Sequence, residues 1–168
     1  MRAYLVHSIT GDKTNMITAS ENMILDLLVQ TNPEGIVELE SEAGVVRMIP
    51  FSGTANGPLF QGIIEPCGVD TQITNAADVR HMSARYMLTG TDHTGSPCHI
   101  YIQNEAWFTD GARPRPWHSV PTFITDSKAL APILHGSSFI GEGIRDDEGL
   151  HSRFYKATEK FSKSSRRG

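Results

Sequence analysis

An antiparallel, closed or nearly closed β-barrel with only short helical turns is the fold class predicted for this 168-residue chain. Three observations predict it. Fifteen glycines and nine prolines interrupt the chain at short intervals. Between them apolar and polar residues tend to alternate, as on half-buried strands. So many strands would leave exposed edges, and closure into a barrel removes them.

In chain order, residues 22–30 read as a strand, after which Asn32, Pro33, Glu34 and Gly35 supply turn chemistry before a second strand over 36–42. Residues 44–51 form a third. The stretch 52–58 holds two glycines, an asparagine and a proline and reads as a loop before extended structure resumes at 59–65. Pro66, Cys67 and Gly68 break that strand. Residues 79–88 and 98–108 then flank a Gly-containing segment and read as a hairpin. On its strands Met82, Ala84, Tyr86 and Leu88 share one face, as do Cys98, Ile100, Ile102 and Asn104. Residues 110–121 read as a loop rich in proline and arginine, and Asp126 as the cap of a short helix limited by Pro132. A last hairpin pairs 139–144 with 150–155 around Asp146, Asp147, Glu148 and Gly149.

One core is expected, over residues 22–157, because two would each fall near the lower limit for independent folding. Residues 1–21 form an extension of open role, too polar after Ile9 for a signal-peptide hydrophobic region, and 158–168 a polar basic tail. Hydrophobic residues make up 39% and charged ones 20%, so neither a membrane span nor wholesale disorder is expected. A net charge of -4 provides no general field for holding polyphosphates, which argues against nucleic acid as the main partner. Lys163, Arg166 and Arg167 are read as a solvated end. Cys67 and Cys98 match no disulfide or redox spacing, which points to free thiols and a cytoplasmic location.

Candidate chemistry lies on the strand faces. Asp70 and Gln72 share a face just past the proline-glycine break, where a strand resumes at a barrel rim. A carboxylate there can exchange protons, or simply accept backbone hydrogen bonds in a turn. Tyr86 is either a core aromatic or a donor to a ligand oxygen. Asn104, an amide among Ile100 and Ile102, needs partners if it faces inward, and a ligand can supply them. Arg85 and Glu105 fall on the opposite faces and read as a solvated or cross-strand ion pair. Trp117 and His118 read as a lid over the barrel mouth or as an exposed loop anchor. Seven histidines occur in no H-x-H or H-E-x-x-H spacing, so no metal is expected, and no phosphate-binding glycine loop or G-x-S-x-G element is present.

Three runs, Gly68-Val69-Asp70-Thr71-Gln72, Ala84-Arg85-Tyr86-Met87-Leu88 and Tyr101-Ile102-Gln103-Asn104, followed by Phe139-Ile140-Gly141-Glu142-Gly143, carry a resemblance in their order and spacing. The chain resembles the bacterial family called domain of unknown function 3237 over about residues 23–155. The resemblance implies a small barrel similar to allene oxide cyclase and dirigent proteins, which hold apolar or aromatic ligands inside. It also implies that Asp70, Tyr86 and Asn104 meet in one cavity. Departures are Thr71 where the family tends to have tryptophan, Glu105-Ala106 for arginine-glycine, and Ile133-Leu134-His135 for Trp-Leu-Asn, which gives His135 the place of an amide.

The expected function is a cofactor-free isomerase, cyclase or lyase acting on an apolar or aromatic oxygenated substrate. Asp70, Tyr86 and Asn104 are the expected catalytic groups, and Gln72, Tyr101, Trp117, His118 and His135 the expected substrate contacts. A non-catalytic ligand-binding module or an accessory subunit is the alternative. Paired strands can also create a homodimer.

Overall fold

A computed structural model of the chain describes residues 22–109 and 114–157. The 1–21 extension and the tail with Lys163, Arg166 and Arg167 lie outside the described residues. Among these, nine strands run as β1 (Met23–Thr31), β2 (Val37–Ser41), β3 (Gly44–Asn56), β4 (Phe60–Asn75), β5 (Arg80–Asp92), β6 (Pro97–Phe108), β7 (Trp117–Thr125), β8 (Phe139–Arg145) and β9 (Leu150–Lys156). The sheet order is β1-β9-β8-β7-β6-β5-β4-β3-β2, and β1 also pairs with β3. That pairing closes an antiparallel eight-stranded barrel, leaving β2 outside the ring against the first half of β3. Helical structure among the described residues is a 3-10 turn at Pro33–Gly35 and one short helix, α1 (Ala131–Leu134).

The expected barrel is therefore present, and the differences lie at its irregular points. The loop expected over 52–58 is strand as far as Asn56: β3 bulges between Phe51 and Gly53, then pairs with β1 on one side and β4 on the other. Pro66, Cys67 and Gly68 do not end a strand either. Four residues of β4, Glu65 to Gly68, span the two of β5, Tyr86 and Met87, so the break is a bulge inside one long strand. An even insertion keeps the inward set inward. Asp70 thus lies well inside β4 rather than at a strand start. Part of the loop expected over 110–121 is β7, where Trp117, Ser119 and Phe123 alternate inward opposite β6 and β8. Asp126 does not cap the helix. It accepts the His99 backbone N–H at 2.7 Å, while the Ser127 hydroxyl accepts the N–H of Leu130 ahead of α1 at 3.1 Å.

Along β5 the inward residues are Arg80, Met82, Ala84, Tyr86, Leu88, Gly90 and Asp92, and this series divides the interior in two. From Leu88 onward the barrel is solid: Leu27, Leu88, Ile102 and Phe154 are fully buried with Ile64, Ile100 and Phe123 around them. Phe123 meets Phe139 and Phe154 edge-on, with ring centroids 4.9 and 5.5 Å apart. Toward Arg80 several inward positions are small, Ala84, Ala106, Gly141 and Gly143, among larger ones such as Met82 and Phe108. Small side chains cannot fill the bore, and a cavity results. Cys67 is exposed and Cys98 buried, both as free thiols. No helix among the described residues is long and apolar enough to cross a membrane.

Candidate functional site

Register explains how separate segments meet in this cavity of about 330 Å³. Asp70 on β4 pairs with Ala84 on β5, which pairs in turn with Asn104 on β6. Asp70 and Asn104 therefore flank a methyl group at one depth, and Tyr86 lies one inward step deeper on β5. Gln72 and Trp117 also line the cavity, together with apolar Val29, Ile49, Phe51 and Phe108.

Glycine geometry sets the opposite wall. A Cβ on Gly143 would stand 1.9 Å from Cε2 of Trp117, and one on Gly141 2.1 Å from Oγ of Ser119. Only residues without a side chain let that indole and hydroxyl lie across β8. This accounts for the Gly141 and Gly143 pair noted in the sequence.

The polar atoms of the cavity are under-satisfied. Asp70 Oδ1, Asn104 Oδ1 and Ser119 Oγ are buried without a hydrogen-bond partner among the described residues. The other Asp70 oxygen accepts from Gln72 Nε2 at 2.7 Å. Burial raises the Asp70 carboxyl above its ordinary range, against the opposing effects of the Gln72 hydrogen bond and the Arg80 charge. Tyr86 is buried edge-on to Phe51 at 5.2 Å. Burial, then the neighbouring Asp70 charge, pushes its phenol far above the usual range, so the hydroxyl keeps its proton and is available to donate a hydrogen bond. Such groups are costly unless something else completes their bonding.

Three expected contacts lie elsewhere. Tyr101 is on the outer face, where its hydroxyl reaches Gln103 Oε1 at 3.4 Å. His118 pairs with Glu142 on the outer face and is exposed. His135 follows α1, and its Nε2 accepts the Thr125 N–H at 3.1 Å, capping the part of β7 that has no β8 partner. Alternation decides the first two and strand-edge chemistry the third. Glu105 pairs with His81 rather than with Arg85, and also accepts from Ser83 Oγ at 2.7 Å and Gln103 Nε2 at 2.8 Å. Although burial opposes it, these bonds hold its carboxyl below the usual range.

Ser119 and the lining arginines Arg80, Arg115 and Arg145 were not among the expected site residues. Ser119 was legible only as a small polar residue alternating with Trp117, a signal the loop assignment concealed. His151 borders the cavity, but it pairs opposite Leu28, on the outward set of β9. Its Nδ1 lies 2.9 Å from Asp26 Oδ1, and its Nε2 lies 3.4 Å from Asp146 Oδ1 without hydrogen-bond geometry. The imidazole belongs to that outer network rather than to the cavity. No group of three or more metal-ligating side chains is assembled among the described residues.

Fold and site together define a closed antiparallel barrel with an internal cavity, apolar in its walls and polar at mid-depth. Residues 21–157 match the family described as protein of unknown function (DUF3237), and the chain belongs to that family. Comparison with curated proteins gives no match. Among solved structures, a protein of unknown function from Clostridium acetobutylicum ATCC 824 is 24% identical with a TM-score of 0.65, over 81% of this chain and 95% of that one. A β-barrel-like protein from Acinetobacter baumannii AYE is 22% identical with a TM-score of 0.63, over 80% and 93%. An enzyme from Penicillium herquei is 17% identical with a TM-score of 0.59, over 80% and 92%. At these identities the likeness concerns the fold.

Proposed function

We propose that the chain is a cofactor-free isomerase, cyclase or lyase that moves a proton on an apolar or aromatic oxygenated substrate held inside the barrel. The observation that carries this reading is the set of buried oxygen atoms on Asp70, Asn104 and Ser119, unpartnered among the described residues and gathered in one apolar-walled cavity. A carboxyl with a raised proton affinity is a competent base for a carbon acid, because the ideal catalytic group titrates near the working pH. Asp70 takes the proton from a carbon next to a carbonyl, and the electron pair moves onto the carbonyl oxygen. Tyr86 donates a hydrogen bond to that oxygen, and Asn104 orients the substrate. Return of the proton to a different carbon gives an isomer. Collapse of the enolate onto an internal electrophile or with loss of a leaving group gives a cyclised or eliminated product.

Mass spectrometry of the gently purified protein identifies a retained ligand, whose carbon-bound protons are then followed by NMR in D₂O. Exchange or conversion is expected to fall by about 100-fold or more in Asp70→Asn while binding persists, and Tyr86→Phe is expected to weaken both. Unchanged turnover in Asp70→Asn would remove the proton-transfer role. Binding without exchange or conversion in the unaltered protein favours the binding-module reading.

A homodimer in the cytoplasm completes the proposal. Trp107, Val120 and Ile124, each 59% exposed on the outer face of β6 and β7, support the dimer, and the two free thiols support a reducing compartment. Light scattering that returns the mass of a single chain would remove the dimer.

A further inference from the structure

The chain carries a net charge of -4, but among the described residues the charged side chains at its cavity mouth are arginines. Arg80, Arg115 and Arg145 all line the cavity, and Asp70 is the one carboxylic acid among the described lining residues. The three arginines gather at the same end of the barrel. Arg80 opens β5 opposite Phe108, Arg145 ends β8 opposite Leu150, and Arg115 precedes Trp117 at the start of β7.

Two other guanidinium groups are committed to carboxylates, Arg47 to Glu38 and Arg153 to Asp26, whereas Arg85, on the outer face of β5, has no ion-pair partner among the described residues. Arg80 donates to Thr74 Oγ1 at 3.3 Å. Arg115 and Arg145 have no ion-pair partner among the described residues. The acid next to Arg145 in sequence, Asp146, accepts the N–H groups of Glu148 and Gly149 and faces His151 and Arg153. Arg115 and Arg145 are exposed to solvent, and like-charged groups placed at one opening, with no carboxylate partner on two of them, create a positive field that draws an anion.

We infer that the cavity takes an organic anion, with an apolar ring body inside the barrel and a carboxylate or related oxyanion at the mouth, bound by Arg115 and Arg145 with Arg80 alongside. This rests on the ligand-pocket reading above and names the class of ligand. Guanidinium forks match planar oxyanions bidentately, and the apolar walls strengthen the attraction relative to open water. The depth also limits the size of the ligand. Ala84, level with Asp70 and Asn104, stands four residues inward from Arg80, about 13 Å at the rise of a strand. The arginine side chains take up part of that span and leave room for two fused or linked rings. An anion fixed at the mouth directs the opposite end of the ring system toward Asp70 and Tyr86.

A matched pair of fluorescent probes tests the inference without knowledge of the natural ligand. Anilinonaphthalene sulfonate and N-phenyl-naphthylamine share one aromatic body and differ in the anionic group. The sulfonate is expected to bind about tenfold more tightly, to compete with the neutral probe, and to weaken as salt is raised. In the double variant Arg115→Gln/Arg145→Gln, with its circular dichroism unchanged, the advantage is expected to fall to about threefold or less while the neutral probe binds as before. Displacement by naphthoate or by naphthyl phosphate separates a carboxylate from a phosphate source, and stronger displacement by either than by naphthylamine supports the inference. Equal binding of the two probes, or sulfonate binding indifferent to the double variant, would overturn the anion and leave the apolar pocket standing. Binding of neither probe would remove the pocket reading and the anion with it.

Discussion

Two aspartates on neighbouring strands, both directed into the barrel, have opposite surroundings. Asp92 at the closed end accepts from Ser127 Oγ and Thr94 Oγ1, each at 2.6 Å, and from the N–H groups of Thr94 and Ser96 at 2.9 and 3.2 Å. The Ser127 and Thr94 side-chain hydrogen bonds pull its carboxyl well below the usual range. Asp70, toward the open end, has one side-chain donor and a buried oxygen with none among the described residues, and burial pushes its carboxyl up. Satisfaction accompanies the packed half, and its absence accompanies the cavity. A fold that can complete the bonding of Asp92 leaves Asp70 incomplete where a ligand has room to enter.

The largest effect expected to separate the two halves is on packing. Leu88→Ala or Ile102→Ala, in the solid half, should cost about 2–5 kcal/mol in urea unfolding. Ile49→Ala, on a wall that already adjoins empty space, should cost roughly half that or less. Equal losses would mean that the two halves are packed alike.

Next in size is Gly143→Ala, whose new methyl must displace the Trp117 indole. A loss of about 1–3 kcal/mol is expected, with a changed near-ultraviolet circular dichroism spectrum from the moved ring.

The aspartates themselves give a pair of opposite pH effects. The folded pKa of Asp92 is depressed, so its carboxylate stabilises the fold above the ordinary unfolded value, and that contribution is lost as pH falls through the folded value. Asp92→Asn should lower Tm at neutral pH, and the gap should close in acid. The folded pKa of Asp70 is raised, so the folded state binds the proton more tightly and stability falls as pH rises from the unfolded value through the folded one. Asp70→Asn should raise Tm at neutral pH and lose that advantage in acid. Thermal unfolding at several pH values checks both signs, and matching signs would break the contrast.

The smallest effect belongs to Tyr86→Phe. With no protein acceptor for the hydroxyl among the described residues, stability should stay within about 0.5 kcal/mol of the original in denaturant titration. A larger loss would reveal a structural partner for that group.

Much of the barrel was legible because strand alternation is a local property. The inward placement of Tyr86 and Asn104 follows from counting by twos along β5 and β6, and Asp70 joins them because the bulge before it adds an even number of residues. The same arithmetic places Tyr101 outside, once the parity of Asn104 is applied to its own strand. Ser119 and Trp117 were harder to place, because proline and arginine around them signal a loop and only pairing with β6 and β8 makes that segment a strand.

By itself, then, the sequence determined most of the strands, the inward faces of β5 and β6 and the polar residues those faces carry, since these depend on spacing along a single segment. Tertiary structure decided which bulges continue a strand, that His135 caps an open edge of β7, and that three arginines from distant parts of the chain share one mouth. The physical reason is closure. Pairing β1 with both β3 and β9 sets the depth of every strand relative to its neighbours, and no local pattern contains that register.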